Sequence, residues 1–216
     1  MPRTVLVFGG GDELAPAHAA RLPVPDLVIA ADSGIDRARA LGYTVHLAVG
    51  DFDSVSAAGL SAVERSGATI RRHPASKNET DLELAMLEAL AFRPERIVVV
   101  AIGGGRPDHF LANIALLADA RFAGTTVDGV LDSGDLFVVH DKRALTGRVG
   151  ALLSLLPVGG DATGVRTTGL AFPLEGERLP AGSPRGVSNL FAAPEAVVSV
   201  ESGTLLAIQP FDLGSR

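Results

Sequence analysis

The chain has 216 residues, 47% of them apolar, and a formal net charge of −6. This length allows one large domain or two modest ones, and the apolar share is sufficient for a substantial core. The mild negative charge argues against a general nucleic-acid-binding protein, which normally has a basic face. A phosphate ligand is still compatible with it, because a divalent cation can supply the positive charge.

The sequence contains no cysteine. Disulfide frameworks, thiolate nucleophiles and cysteine-ligated zinc are therefore excluded. The apolar run near the N-terminus is too short for a signal peptide or a membrane span, and no later run reaches about 18 apolar residues. We therefore expect a cytoplasmic protein that binds neither a membrane nor a nucleic acid.

Up to about residue 130, short apolar runs alternate with helix-like segments, a pattern typical of βαβ units in a doubly wound, mostly parallel sheet. One helix is predicted to follow Ser33 as N-cap, a second to follow Thr80 as N-cap, and a third to span residues 108–120. Strands are predicted over residues 4–8, 26–31, 46–49, 69–72 and 96–102.

Beyond about residue 130, short strands alternate with turns rich in Gly, Pro and Ser, and no long helix is indicated. This pattern predicts a smaller all-β domain, a sandwich or partial barrel. The fold class is therefore α/β with a β-rich C-terminal domain, and we divide the chain into residues 1–138 and 139–216. Strands of the second domain are predicted over residues 134–140, 150–158, 167–174, 195–200 and 203–210.

Aspartates and glycines follow several predicted strands of the first domain. The first strand leads into Gly9–Asp12, the second into Asp32, the third into the sequence GDFDS (50–54), and the last into GGGRPDH (103–109). Ligands of open parallel sheets bind where the carboxyl ends of the strands meet. The sequence thus predicts a polar binding site at this edge.

The residue types at this edge favour a metal ion with a polyphosphate. Asp51 and Asp53 lie two residues apart, so in an extended segment both side chains point the same way. Carboxylates suit Mg²⁺, which combines one or two protein carboxylates with substrate phosphates. Glycine N–H groups and Arg106 can donate to phosphate oxygens, and Asp81, in the first turn of its helix, can reach the same crevice.

A purely structural interpretation exists for each residue taken alone. Asp32 and Asp81 can stabilise the N-termini of the helices that follow them. GDFDS can be a turn in which Ser54 caps the next helix. Arg71 and Arg72 fit a solvated strand end. Signatures of other sites are missing, namely the G-x-G-x-x-G fingerprint, the Walker A loop, the G-x-S-x-G elbow and H-E-x-x-H. The interpretation that remains after these exclusions is a phosphate-handling enzyme outside the P-loop class.

The sequence resembles the thiamine pyrophosphokinase (thiamine diphosphokinase) family almost end to end. GDFDS and the segment GGGRPDHFLANIALL, when both are present, are specific for this family. The C-terminal segments are specific for it only when these two motifs accompany them. The matching segments are AADSG (30–34), GDFDS (50–54), KNETDLELA (77–85), GGGRPDHFLANIALL (103–117), TTGLAFPL (167–174) and GVSNLF (186–191).

The resemblance implies an ATP-dependent diphosphotransferase. Such an enzyme moves a diphosphate from ATP to the hydroxyethyl group of thiamine and yields thiamine diphosphate and AMP. The resemblance also implies Mg²⁺ as cofactor and a homodimer with its active site near the interface, where the β-rich domain helps to hold thiamine. An aspartate is expected to accept the proton of the thiamine hydroxyl, with several candidates open.

The resemblance also implies roles for individual residues. The expected metal ligands and catalytic residues are Asp51, Asp53 and Asp81. The residues expected to bind thiamine are Ser188 and Asn189. Those expected to bind ATP or its phosphates are Asp32, Ser33, Ser54, Lys77, Thr80, Gly104, Arg106, Asp108, His109 and Asn113.

The sequence departs from the family pattern at a few positions. Ser33 stands where the family usually has glycine, Ser76 stands where an acidic or amide residue often precedes Lys77, and the chain has no tryptophan. These differences bear on the acceptor more than on the chemistry. Two alternatives are a diphosphokinase that acts on another hydroxymethyl heterocycle, such as a pterin, and a non-catalytic nucleotide-binding protein of the same fold.

Overall fold

The computed structural model describes residues 3–211, which belong to two compact units. The α/β unit comprises the chain up to Leu116 together with Gly124–Asp132, and the β unit comprises Leu117–Ala123 and the chain from Ser133 onward. Apart from the short segment Leu117–Ala123, the chain passes from the α/β unit to the β unit after Asp132. The domain boundary between residues 138 and 139 stays a prediction.

The α/β unit is built on a parallel sheet with the strand order β6-β5-β1-β2-β3-β4. Its inner strands are almost continuously apolar and buried, as expected for a sheet covered on both faces. The strands are β1 Thr4–Phe8, β2 Leu27–Ala31, β3 Leu47–Gly50, β4 Thr69–Arg72, β5 Arg96–Val100 and β6 Thr126–Leu131; the helices are α1 Pro16–Ala19, α2 Gly34–Ala40, α3 Ala57–Ser66, α4 Asp81–Ala91 and α5 Pro107–Leu117.

The predicted parallel architecture and its strands β1 to β5 are confirmed. Thr80 caps α4 as predicted, since its hydroxyl accepts a hydrogen bond from the N–H of Glu83 at 3.1 Å. Ser33 precedes α2 but makes no capping bond. The helix predicted over residues 108–120 ends at Leu117, and a short 3₁₀ helix follows at Ala120–Phe122.

Helix α1 and strand β6 were not predicted from the sequence, whereas a helix after GDFDS was anticipated only in the purely structural interpretation of that segment. Helix α3 is capped by Ser56, whose hydroxyl accepts from the N–H of Gly59 at 2.9 Å. The proposed cap at Ser54 is therefore wrong. A threonine, an aspartate and a glycine interrupt the apolar pattern of β6, although its Asp128 is buried and ion-paired with Arg96.

The β unit contains two antiparallel sheets, with the strand orders β12-β9-β14-β7 and β11-β10-β13-β8. Both sheets contribute apolar side chains to one buried cluster, as in a sandwich. The strands are β7 Gly134–Val139, β8 Lys142–Thr146, β9 Leu152–Pro157, β10 Ala162–Thr168, β11 Glu175–Leu179, β12 Asn189–Leu190, β13 Glu195–Ser199 and β14 Leu205–Pro210.

The all-β character of this unit is confirmed, as are the strands that correspond to β7, β9, β13 and β14. The strand predicted over residues 167–174 is wrong, because β10 ends at Thr168 and the chain turns at Gly169. Strands β8 and β11 were not predicted, since charged side chains weaken their apolar pattern. Within residues 3–211, no helix has the length and apolarity needed to span a membrane.

Candidate active site

A cleft of about 650 Å³ lies at the carboxyl edge of the parallel sheet in the α/β unit. It is lined by the segments that follow β1, β2, β3 and β5 and by the start of α4. Asp108 is not among the lining residues, and Ser188 and Asn189 belong to the β unit. The predicted site residues that line the cleft are Asp32, Ser33, Asp51, Asp53, Ser54, Lys77, Thr80, Asp81, Gly104, Arg106, His109 and Asn113.

Three non-glycine residues just beyond strand ends adopt the left-handed backbone conformation. The φ angles are +47° at Asp32, +65° at Phe52 and +56° at Ala101. Residues other than glycine rarely adopt this conformation, and such strain gathers at functional sites. The three positions follow β2, β3 and β5, so the strained backbone surrounds the cleft.

The carboxylates of Asp32, Asp51 and Asp53 converge at this edge, with one oxygen from each within 4.8 Å of the others. The turn that carries two of them is held internally. The N–H of Asp53 donates to Oδ1 of Asp51 at 3.2 Å, and the hydroxyl of Ser54 donates to Oδ1 of Asp53 at 2.7 Å. Three like charges this close call for a counter-ion.

Asp32 has a further property that points to a cation. Its Oδ1 atom is buried and accepts no hydrogen bond from any residue between 3 and 211. Burial, followed by the negative charges of Asp81 and Asp53, raises the pKa of Asp32 above its ordinary value, although the N–H groups of Ser33 and Ser54 oppose the shift. A buried oxygen without a donor is unfavourable in a folded protein. Because hard carboxylate oxygens are ligands that Mg²⁺ prefers, the group formed by Asp32, Asp51 and Asp53 fits that ion.

Lys77 lies beside these carboxylates. Its Nζ is 2.9 Å from Oδ1 of Asp81 and 3.8 Å from Oδ2 of Asp51. Burial opposes the charge on Lys77, but the contact with Asp81 and the charges of Asp51 and Asp32 raise its pKa. Lys77 is therefore a fixed cation at the cleft, and the carboxylate of Asp81 faces it.

Gly50 permits the close approach of these groups. Its φ is +147°, and a Cβ at this position would lie 3.2 Å from Cγ of Asp81 and 3.3 Å from Cβ of Asp32. A side chain here would strain the backbone and press on both aspartates. Glycine at the end of β3 thus lets Asp32 and Asp81 approach each other across the strand.

Two glycine-rich loops form the opposite wall. The N–H of Gly11 donates to the carbonyl of Ala101, and that of Asp12 to the carbonyl of Gly103, both at 2.8 Å. A Cβ on Gly104 would overlap the carboxylate of Asp12. Among residues 3–211 the N–H groups of Gly10, Gly104 and Gly105 have no acceptor. Free backbone donors of this kind can bind phosphate oxygens.

Residues at the start of α5 complete the cleft. Arg106 forms an ion pair with Asp108. The hydrogen bond from Arg106, followed by the N–H of His109, lowers the pKa of Asp108 to about 2, although desolvation opposes the shift. The Nδ2 group of Asn113 donates to the carbonyl of Ile102 at 3.0 Å and so ties α5 to the end of β5. Asp108 therefore contributes by holding Arg106 beside the cleft.

Comparisons with known proteins agree with this fold. Two models of one family match the sequence: the thiamin pyrophosphokinase catalytic domain over residues 22–127, and the thiamin pyrophosphokinase vitamin B1 binding domain over residues 142–205. The chain belongs to the thiamin pyrophosphokinase family. Membership makes it a diphosphotransferase of thiamine diphosphate formation.

Individual relatives resemble the chain over nearly its whole length. The thiamine pyrophosphokinase of Bacillus subtilis (strain 168) is 27% identical over 215 residues, which cover 96% of this chain and 98% of the relative. A crystal structure of the Bacillus subtilis enzyme superposes with a TM-score of 0.85 at 25% identity, over 97% of this chain and 100% of the other. A family protein from Enterococcus faecalis has a TM-score of 0.79 at 25% identity, covering 97% and 99%.

In the region that matches the vitamin B1 binding model, Ser188 and Asn189 are adjacent but differ in environment. Ser188 is exposed, has a φ of +63°, and its N–H donates to Oγ of Ser154 at 3.1 Å. Asn189 is 6% exposed. Its amide oxygen accepts from the N–H groups of Phe172 and Leu190, and its Nδ2 donates to the carbonyl of Phe172. Asn189 therefore supports the chain around it, while Ser188 faces outward.

No role was predicted for Arg37, Asp12 or Glu79, which also line the cleft. Arg37 contacts the first glycine loop, since its Nε donates to the carbonyl of Gly11 at 2.7 Å and its Nη1 to Oε1 of Glu13 at 2.9 Å. A signal was present: Arg37 lies four residues after Ser33, on the same face of α2. It was missed because a helical arginine is usually a solvated residue.

Proposed function

We propose that this member of the thiamin pyrophosphokinase family transfers a diphosphate from ATP to thiamine, giving thiamine diphosphate and AMP. The proposal rests on the lining of the cleft, which combines the carboxylates of Asp32, Asp51 and Asp53 with backbone N–H donors of the glycine-rich loops. Such a cleft suits a polyphosphate held together with a divalent cation. Family membership supports thiamine as the acceptor.

In the proposed reaction the hydroxyl oxygen of thiamine bonds to the β-phosphorus of ATP. The bond between the β-phosphorus and the oxygen that bridges to the α-phosphorus breaks, and AMP leaves with that oxygen. A carboxylate of the cleft accepts the hydroxyl proton. Transfer of this kind depends on positioning and charge neutralisation more than on covalent help from the protein.

We propose that Asp51, Asp53 and Asp32 hold Mg²⁺. When bound, this ion neutralises phosphate charge and orients the triphosphate. Asp51 and Asp53 were predicted as ligands, and Asp32 is added because its buried oxygen has no other partner. A ligand role for Asp81 stays a prediction. Its contact with Lys77 supports a second role, in which it keeps that ammonium group beside the phosphates.

The remaining cleft residues are proposed to bind the nucleotide. Arg106 is exposed and lines the cleft, so its guanidinium can donate to phosphate oxygens without losing Asp108. The other proposed nucleotide contacts are Ser33, Ser54, Thr80, Gly104, His109 and Asn113, all of which line the cleft.

We propose that the β unit binds thiamine through a surface that includes Ser188. Its exposed hydroxyl is free to contact a ligand, whereas the amide of Asn189 is already engaged in the hydrogen bonds of its own segment. Asn189 then acts by shaping the segment next to Ser188. A homodimer with the active site near its interface and a cytoplasmic location stay predictions from the sequence.

The decisive experiment is incubation of the purified protein with Mg²⁺, ATP and thiamine, followed by chromatography of nucleotides and thiamine esters. We expect AMP and thiamine diphosphate in equal amounts. ADP with thiamine monophosphate would mean a different transfer at the same cleft. Bound ATP without turnover would favour the two alternatives, a different heterocycle as acceptor or a non-catalytic binding protein. Family membership disfavours both.

A further inference from the structure

The metal-binding turn has an unexplained residue at its centre. Phe52 separates Asp51 from Asp53, and its side chain is only 8% exposed. It belongs to the apolar cluster on one face of the parallel sheet. Its φ of +65° is an outlier for a bulky side chain. Glycine would adopt this backbone conformation without strain, so the ring itself has to justify phenylalanine here.

The outer side of the ring is also covered. The guanidinium carbon of Arg72 lies 5.0 Å from the centroid of the Phe52 ring, a cation–π distance. Arg72 is held at the end of β4, where it pairs with Gly50, and its Nη2 lies 3.7 Å from Oε1 of Glu64. The aromatic ring is therefore packed between the apolar cluster and an arginine fixed by the neighbouring strand.

A ring held in this way restricts the two residues beside it. With Phe52 directed into the apolar cluster in the left-handed conformation, the turn closes through the hydrogen bond from the N–H of Asp53 to Asp51. Both carboxylates then lie within 4.8 Å of the Asp32 carboxylate. Without the ring, the turn would lose its only buried side chain among residues 51–54.

We propose that Phe52 is a positioning residue that, covered by Arg72, holds Asp51 and Asp53 in the geometry that binds the divalent cation. The inference rests on the metal site of the proposed function. Phe52 touches neither substrate nor metal in this proposal and acts only through its two neighbours. Arg72, for which the sequence indicated a solvated strand end, contributes the cover.

The test is a titration with Mn²⁺ alone, in which the signal of the free ion is followed by electron paramagnetic resonance. We expect Phe52→Ala and Phe52→Gly to raise the Kd for Mn²⁺ by about tenfold or more, as for residues that orient metal ligands. Phe52→Leu keeps an apolar anchor and should stay within about threefold of the unsubstituted protein. Measurements are made well below the melting temperature of each variant.

Phe122→Leu is the matched control, since Phe122 is fully buried but lies in the β unit. It should lower the melting temperature and leave the Mn²⁺ Kd unchanged. If Phe52→Gly binds Mn²⁺ as tightly as the unsubstituted protein, the backbone conformation alone sets the carboxylates and the proposal is overturned. The same conclusion follows if Phe52→Ala lowers stability without weakening Mn²⁺ binding.

A second pair of variants keeps the core intact in case the phenylalanine variants fail to fold. Arg72→Met should raise the Mn²⁺ Kd by about two- to fivefold, the size expected of an exposed cation–π contact. Arg71→Met removes the same charge from the adjacent residue, whose partner is Glu88 at 3.9 Å, and should leave the Kd unchanged. Equal effects of the two substitutions on the Mn²⁺ Kd would refute the role of Arg72 and the proposal that its cover of the Phe52 ring matters for metal binding.

The metal site and the positioning role fail in distinguishable ways. Asp53→Asn should abolish saturable Mn²⁺ binding. If the unsubstituted protein shows no binding that depends on Asp53, the metal site of the proposed function is wrong. If that binding is present and the Phe52 and Arg72 variants retain it at full strength, only the positioning role is wrong.

Discussion

The cleft of the α/β unit and the segment around Asn189 in the β unit use their polar side chains differently. In the α/β unit, carboxylates gather at one edge of the sheet, and an oxygen of Asp32 is buried without a donor. In the β unit, the buried polar side chains of Thr167 and Asn189 are engaged in hydrogen bonds to the backbone. A buried oxygen without a donor therefore points to a cation where other carboxylates gather beside it, as around Asp32. Within residues 3–211, Nε2 of His140 in the β unit is also buried without a partner but has no such cluster beside it.

The strongest test of this contrast is removal of one carboxylate from the cleft. Asp53→Asn should reduce Mg²⁺-dependent turnover by at least about 100-fold, because it removes a proposed ligand of the cation that neutralises the phosphates. The melting temperature should stay close to that of the unsubstituted protein. Asp141→Asn, an exposed aspartate of the β unit, serves as control and should keep full turnover. Comparable rates for both variants would refute the metal assignment.

Removal of a satisfied polar group in the β unit should instead affect stability. Asn189→Ala deletes the partner of two N–H groups and one carbonyl, and we expect a loss of about 2–4 kcal/mol in the free energy of unfolding. Urea denaturation measures the change. Asn78→Ala, at an exposed position of the α/β unit, should change stability by less than about 0.5 kcal/mol. An equally small change for Asn189→Ala would mean that its hydrogen bonds are replaceable.

A smaller effect is expected from the exposed neighbour. Ser188→Ala should raise the KM for thiamine by about three- to tenfold, the value of one hydrogen bond, with the KM for ATP unchanged. Ser202→Ala removes an exposed hydroxyl elsewhere in the β unit and should change neither constant. An unchanged thiamine KM for Ser188→Ala would place the acceptor contact at other residues.

The smallest predicted effect is the change in folding stability caused by ionisation of one aspartate, and its sign differs between the two units. Burial raises the pKa of Asp32, so its ionisation disfavours folding at neutral pH, and this penalty is relieved as the pH falls through the raised pKa. The N–H of Ala181 and then Arg178 lower the pKa of Asp161, so its ionisation stabilises the fold above the unfolded pKa, and this gain is lost as the pH falls.

At pH 7 with a chelator present, Asp32→Asn should therefore raise the melting temperature, and Asp161→Asn should lower it. Thermal unfolding followed by circular dichroism measures both shifts. The Asp32 difference should shrink as the pH falls through its raised pKa, above the ordinary aspartate value. The Asp161 difference should shrink only as the pH falls below the ordinary value towards the lowered pKa. Shifts of the same sign at pH 7 would show that Asp32 is not a destabilising group in the metal-free protein.

Much of the fold followed from local patterns. Buried parallel strands are nearly all apolar, so β1, β2, β3 and β5 were predicted from the sequence, and Thr80 was recognised as a cap from its position alone. Strands β8 and β11 were missed because adjacent charged residues, Lys142 and Arg143 in β8 and Glu177 and Arg178 in β11, weaken their apolar pattern. The prediction of a strand over residues 167–174 was wrong because the chain turns at Gly169, where it packs against the backbone of Glu195.

The candidate site was predictable to the extent that strand order made it so. Alternation of strands and helices places the segments after β1, β2, β3 and β5 at one edge, so the clustering of Asp32, Asp51 and Asp53 could be anticipated. Contacts that depend on side-chain direction could not be. Examples are the pairing of Asp81 with Lys77 and the contact of Arg37 with the carbonyl of Gly11.

The sequence by itself determined the fold class, the carboxyl edge and the family, because all three depend on residue types in a fixed order along the chain. Only the tertiary structure decided which aspartate oxygen lacks a donor and which cation covers the ring of Phe52. These depend on distances between segments remote in sequence, such as Phe52 and Arg72. Burial and direction, which set hydrogen bonding and pKa, exist only once those segments have packed.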